Sequence, residues 1–229
     1  MKRVVLAGAA LLAFTISSYS NAALLAGWSP DYAAPGVSAG PISDAGSNAL
    51  VSESTSCSLG LASCIIIDPK GVTTGAEAVT GDRYFAFSAS ASGQGLLYLS
   101  TLKFVAYKGG EDAENENRGW ELRTSVDGYA SQVSTGVVDC DPIDSSCTVP
   151  DNFSIDLSST EFQGLTTIDF RLFAYSPTSG KVVNFANIEL NGLPTSVPVP
   201  LTLVLLTSGL GFIGFSHRRR NPRAAESRG

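Results

Sequence analysis

Histidine is almost missing from these 229 residues: the one copy, His217, sits beside Arg218, Arg219 and Arg220 near the C-terminus. A Ser-His-Asp or Cys-His nucleophilic set needs a base with a pKa near working pH, so the body of the chain cannot assemble one. Zinc loses its imidazole ligands for the same reason. No G-x-S-x-G elbow is present. Gly209-Leu210-Gly211-Phe212-Ile213-Gly214 matches a dinucleotide loop, yet too little chain follows it to build the βαβ unit such a loop requires. No segment repeats, and helical periodicity is lacking between the two ends. These gaps exclude most hydrolase classes and nucleotide chemistry.

The two ends are the long apolar stretches. Lys2-Arg3, the run Val4 to Ile16 and the small residues Ser20-Asn21-Ala22 form a secretory leader with cleavage expected after Ala22. At the other end Val197-Pro198-Val199-Pro200 precedes an apolar run from Leu201 to Phe215, closed by Arg218, Arg219 and Arg220. Counted from Val197, the run reaches the ~17–25 residues that span a bilayer as a helix. The arginines would stay cytoplasmic and hold everything before them outside.

This tail resembles the PEP-CTERM-type sorting signals of Gram-negative bacteria, in a VPxP variant. The matching residues are Val197, Pro198, Val199 and Pro200, then Ser208-Gly209-Leu210-Gly211, then the arginine cluster. The resemblance implies an exosortase-type membrane transpeptidase as partner and cleavage near the proline motif. It also implies transient residence in the inner membrane, then an envelope or extracellular destination alongside exopolysaccharide. Val199 stands where the family usually has Glu. The alternative is a plain C-terminal anchor. The expected organisation is thus a leader (1–22), a body (23–196), a sorting segment (197–220) and a cytoplasmic tail (221–229).

Setting the ends aside changes the charge balance. The leader holds two basic residues, and the tail holds five basic and one acidic. The body therefore keeps 8 basic against 20 acidic residues, a net charge of −12. Such a surface repels nucleic acid. It suits solubility outside the cell, or a divalent cation.

Cys57, Cys64, Cys140 and Cys147 fall in this exported body as two C-x6-C pairs. Disulfides persist in that setting, and four cysteines allow three connectivities. The matched spacing favours local pairing, Cys57 with Cys64 and Cys140 with Cys147.

Period-2 alternation dominates the body. Phe153, Ile155 and Leu157 alternate with Ser154, Asp156 and Ser158. Trp120, Leu122, Thr124 and Val126 alternate with Glu121, Arg123, Ser125 and Asp127. Ile168, Phe170, Leu172 and Ala174 share one face, as do Ala186, Ile188 and Leu190. Further strands are expected at 24–28, 49–54, 65–68, 83–88, 96–107 and 129–138, with a hairpin turn around Ser176 to Gly180. Strands divided by turn residues, without crossover helices, predict an all-β fold: a single antiparallel β-sandwich, jelly-roll-like. The block Asn152 to Gly192 also resembles the C-terminal part of sandwich domains in other PEP-CTERM proteins, through Asp156-Leu157-Ser158, Phe170-Arg171-Leu172-Phe173 and Phe185 to Gly192.

Three sets of side chains are candidates for chemistry. Glu121, Asp127 and Glu189 lie on polar strand faces and could in principle form a glycosidase pair. Asp139, Asp141 and Asp144, flanking Cys140 in a loop that a Cys140–Cys147 bridge would constrain, are the better calcium candidates; the run from Glu111 to Asn117 lacks the EF-hand glycine and glutamate. Arg171, Phe173 and Tyr175 share a face that, if wet, offers carbohydrate an aromatic platform, with Trp28, Tyr107, Trp120 and Tyr129 as further aromatics. The expected function is a non-enzymatic structural or adhesive protein of the envelope or matrix. A carbohydrate-binding module and a glycan-active hydrolase are the alternatives.

Overall fold

A computed structural model describes residues 22–43, 50–110, 116–143 and 147–195. The rest of the leader, the whole sorting segment from Val197 to Arg220, the tail and Asp144 lie outside the described residues. Among the described residues no helix is long and apolar enough to cross a membrane.

Two antiparallel sheets face each other. The larger has eight strands, ordered β10 (Asp151–Asp156), β7 (Leu96–Gly109), β13 (Val182–Thr195), β1 (Ala23–Trp28) and β2 (Tyr32–Ala33). To these are added β11 (Gln163–Leu165) on β7, β5 (Cys64–Asp68) on β13 and β4 (Leu50–Ser54) on β5. The smaller has five: β3 (Val37–Ala39), β6 (Tyr84–Ala91), β12 (Thr167–Tyr175), β8 (Arg118–Thr124) and β9 (Ser134–Val138). The expected antiparallel sandwich is therefore observed.

Inward-facing aromatics lock the layers together. Trp28 and Phe87 lie 4.7 Å apart between ring centroids, Phe104 and Trp120 4.9 Å, and Phe85 and Phe185 5.4 Å, each pair reaching from one sheet to the other. Each such pair contributes about 0.5–1.5 kcal/mol beyond its buried area. The alternation at Ile168, Phe170, Leu172 and Ala174 is realised, all four wholly buried in this core.

Elsewhere single extra residues shift the alternation. On β13, Val183 and Phe185 point into the core, but so do Ile188 and Leu190. The switch of parity occurs at Asn187, where two residues of β13, Asn187 and Ile188, oppose the single Phe104 of β7 between the pairs Ala186↔Val105 and Glu189↔Lys103. Asn187 takes a left-handed φ of 50°, which asparagine tolerates. Ala186 consequently faces outward against Cys64 and Val105, and does not share the face of Ile188 and Leu190 as its spacing predicts. A second bulge, at Ser100, moves the core positions of β7 from Leu97 and Leu99 to Leu102, Phe104 and Ala106.

The turn from Ser176 to Gly180 is not a hairpin. β12 belongs to the smaller sheet and β13 to the larger, so this turn arches across the sandwich. Turn chemistry is the same in both cases; the partner strands decide. Arg118 secures the crossing. Its guanidinium is fully buried and donates from Nη1 to the carbonyls of Gly109 at 2.6 Å and Val182 at 2.9 Å. Burial holds its pKa below the usual arginine value, with Glu116 pulling the other way across an ion pair of 3.3 Å.

Two further segments differ from expectation. Residues 125–127 form a 3-10 turn rather than the end of a strand, and Tyr129 has φ 65°, so the strand expected at 129–138 begins only at Ser134. A short helix, α1 (Gly75–Thr80), appears where no helical period is visible. Its caps explain it: Thr74 accepts from the Glu77 N–H at 3.2 Å, and the Glu77 carboxylate accepts from the Thr73 N–H at 2.7 Å.

Candidate functional site

The outer face of the larger sheet carries an accessible array of polar and aromatic side chains. Residues paired laterally across strands point the same way, so the registers define rows on this face. One row runs Tyr32, Gly27, Glu189, Lys103, Ser154 over β2, β1, β13, β7 and β10. At ~4.8 Å per strand this row is about 19 Å wide. The next contains Leu24, Asn191, Thr101 and Asp156, and below it Leu193 pairs with Tyr98.

The array is open. Tyr32 is 45% exposed and Tyr98 36%, while Lys103, Ser154 and Asp156 are also exposed. Gly27 leaves the sheet bare beside Tyr32: a Cβ there would sit 3.6 Å from the Tyr32 Cβ. Beyond Tyr32 a recess of about 360 Å³ is lined by Trp28, Asp31, Ala39 and Gly40. At the bulge, the side-chain nitrogen of Asn191 and the hydroxyl of Ser100 are shielded yet make no hydrogen bond to protein. These tyrosines were not among the aromatics singled out in the sequence. The face of Tyr98 depends on the Ser100 bulge, which periodicity does not reveal.

A loop closes the upper border of this array. Cys57 and Cys64 are bonded, as are Cys140 and Cys147, with Cα separations of 6.1 and 5.3 Å. The first loop folds over the sheet, Leu61 and Cys57 packing on Cys64, Val105 and Ala186. The Ser58 N–H donates to the Tyr107 hydroxyl at 3.2 Å, and burial raises that phenol's pKa above its ordinary value. Between the two disulfide loops lies a second cavity of about 330 Å³, lined by Ser56, Tyr107, Lys108, Ile143 and Asn184. At ~2.5 kcal/mol for a loop of this length in the chain-entropy model, each bridge chiefly shapes its loop.

On the smaller sheet the expected platform is covered. Phe173 and Tyr175 are 2% and 7% exposed, packed with Tyr84 beneath Ala78 and Val79 of α1. Burial also raises the Tyr175 pKa. Arg171 alone of the three is accessible. Its guanidinium carbon lies 3.7 Å from the centroid of the Tyr129 ring and 4.6 Å from that of Tyr84. Such contacts contribute about 0.5–2 kcal/mol, against roughly 1–3 kcal/mol for holding a residue such as Tyr129 in the left-handed region. Directly opposite Arg171 in the register stands Arg123, whose Nε donates to Glu121 at 2.7 Å and whose Nη1 donates to the carbonyls of Tyr129 and Ala130.

The candidate carboxylates do not form a pair. Glu121 is 5% exposed and committed to Arg123. Asp127 accepts from the N–H groups of Ala130 and Ser131, and Glu189 lies on the other sheet. Among the described residues no three acidic, cysteine or histidine side chains gather as metal ligands. Asp139 is exposed. Asp141 is buried, with Oδ1 taken by the Ile143 N–H at 2.9 Å and Oδ2 without a hydrogen bond.

No protein-family model and no curated protein matches the chain. Among solved structures, it is similar to the CBM22-1–GH10 modules of a Clostridium thermocellum endo-1,4-β-D-xylanase, complexed with xylohexaose. That match has 7% identity and a TM-score of 0.37, covering 69% of this chain and 26% of the other, so this chain spans about a quarter of the xylanase piece. A Caldicellulosiruptor saccharolyticus CBM27-1 in complex with mannohexaose matches at 10% identity and TM-score 0.39, covering 65% and 88%. The family 11 carbohydrate-binding module of Clostridium thermocellum Lic26A-Cel5E matches at 16% and 0.35, covering 77% and 97%.

Proposed function

We infer that the protein is an exported, non-enzymatic sandwich that holds a polysaccharide against the outer face of its larger sheet. The observation that supports this is the row Tyr32–Gly27–Glu189–Lys103–Ser154 with Asn191, Thr101 and Tyr98 beside it. A pyranose ring lays its C–H face on an exposed phenol ring, and its hydroxyls exchange hydrogen bonds with amide, ammonium and carboxylate groups around it. Strand-borne side chains hold such groups more firmly than loops do, which limits the ordering cost of binding.

The C-terminal resemblance supplies the setting. Recognition of Val197 to Pro200 by an exosortase-type enzyme would release the body to the envelope or matrix, where exopolysaccharide is the ligand at hand. The role is then adhesive: the protein fixes glycan to the cell surface. The disulfides fit an oxidising compartment.

Affinity electrophoresis of the purified protein in gels containing neutral β-glucans tests the reading. Tyr98→Ala should weaken retention at least about tenfold, equivalent to ~1.4 kcal/mol, with unfolding temperature unchanged. Unaltered retention by Tyr98→Ala and Tyr32→Ala together, or none by the parent protein across neutral glucans, defeats it. Intact mass of the native product locates the processing at either end.

A further inference from the structure

We propose that Arg171, Arg123 and Tyr129 form a second, separate subsite on the smaller sheet, built to receive the carboxylate of an acidic sugar residue. It shares no side chain with the array on the larger sheet and stands without it.

Two arginines directly opposite each other on adjacent strands repel, and a sheet without a use for them would relieve the pair. Arg123 has its compensation in Glu121, which is buried. Arg171 has none: no ion pair joins it to Asp169, two residues along the same strand face, nor to any other carboxylate among the described residues. Its charge is instead stacked on phenol rings, 3.7 Å from Tyr129 and 4.6 Å from Tyr84. Stacking fixes the plane of a guanidinium and leaves its N–H groups directed around the rim, the geometry that binds a carboxylate through two parallel hydrogen bonds.

The backbone supports the same assignment. Gly128 and Tyr129 follow the 3-10 turn with φ of 70° and 65°. Glycine accepts that region freely, and a bulky aromatic does not. The turn is held by Asp127, which accepts from both Ala130 and Ser131, and by Arg123, which grips the carbonyls of Tyr129 and Ala130. Strain of this kind concentrates where a side chain must be aimed. Here it places the half-exposed Tyr129 ring over Arg171, so that a sugar bearing a carboxylate meets a ring face and a planar donor together.

The test uses the full protein and polygalacturonate as probe, at low and at physiological salt. Arg171→Lys keeps the charge and loses the planar fork; it should lower polygalacturonate affinity at least about tenfold. Tyr129→Gly removes the ring and relieves the backbone, so it should fold at least as well as the parent and lose binding equally. Full retention of affinity by either folded variant overturns the proposal. If Arg171→Lys does not fold, Tyr129→Gly decides alone. Equal Arg171-dependent binding of dextran sulfate or of polyglutamate also overturns it, in favour of an unselective anion site or a polypeptide partner. The failure of the larger-sheet reading would show separately, as neutral glucan retention indifferent to Tyr98.

Discussion

Lys103 and Glu189 stand opposite each other in the register of β7 and β13, and no ion pair joins them. Both sit mid-row on the open face, Lys103 exposed and Glu189 half-buried. Their charges are therefore available to a ligand rather than spent on one another.

A double-mutant cycle on unfolding free energy with Lys103→Ala and Glu189→Ala should give a coupling below about 0.5 kcal/mol. The same two variants should each weaken glycan retention. A coupling well above that value would mean that the pair serves the fold.

The bulge at Asn187 yields a sharper outcome. Asn187→Gly keeps the left-handed φ and should change stability by less than about 0.5 kcal/mol. Asn187→Val, whose branched side chain resists that region, should cost about 1–2 kcal/mol. Deleting the residue would leave Val183, Phe185, Ile188 and Leu190 in one unbroken alternation on the core face, so the deletion variant should still fold. Circular dichroism and chemical unfolding of the three variants check this.

Acid should act on the turn that carries Tyr129. Hydrogen bonding from Ser131, followed by the N–H groups nearby, holds the Asp127 carboxyl below its usual value of 3.8. Because the folded value lies below the unfolded one, the stabilisation is complete above 3.8 and is lost as pH falls through the folded value. The difference in unfolding temperature between the parent and Asp127→Asn should thus be present at about pH 6 and vanish towards about pH 2. A difference independent of pH would remove ionisation as its cause.

What could be read from the chain beforehand follows a physical division. Local pattern was sufficient where strands are regular, as from Ile168 to Ala174, and where bridging cysteines lie close in sequence. It failed where one residue resets the period, at Asn187 and Ser100, since an inserted residue looks like any other in a list of side chains. Ser176 to Gly180 is legible as a turn but not as an arch between sheets, because turn residues do not record which sheet receives the next strand. Thr74-Gly75-Ala76-Glu77 carried a legible helix start, but a helix of six residues is too short to show a period. That helix is what shuts Phe173 and Tyr175 away, a contact between distant segments. Tyr32 and Tyr98 carry no such local mark for the converse reason: their exposure is set by neighbours on other strands.

β13 is hydrogen-bonded along its length, to β7 on one side and to β5 and β1 on the other, and it also bears Glu189 and Asn191. A pull between that face and the C-terminal end of the strand would run down β13 and load both flanking ladders together in shear. The two ladders would then slide together rather than open bond by bond, so a pull along β13 meets more resistance than a pull across it.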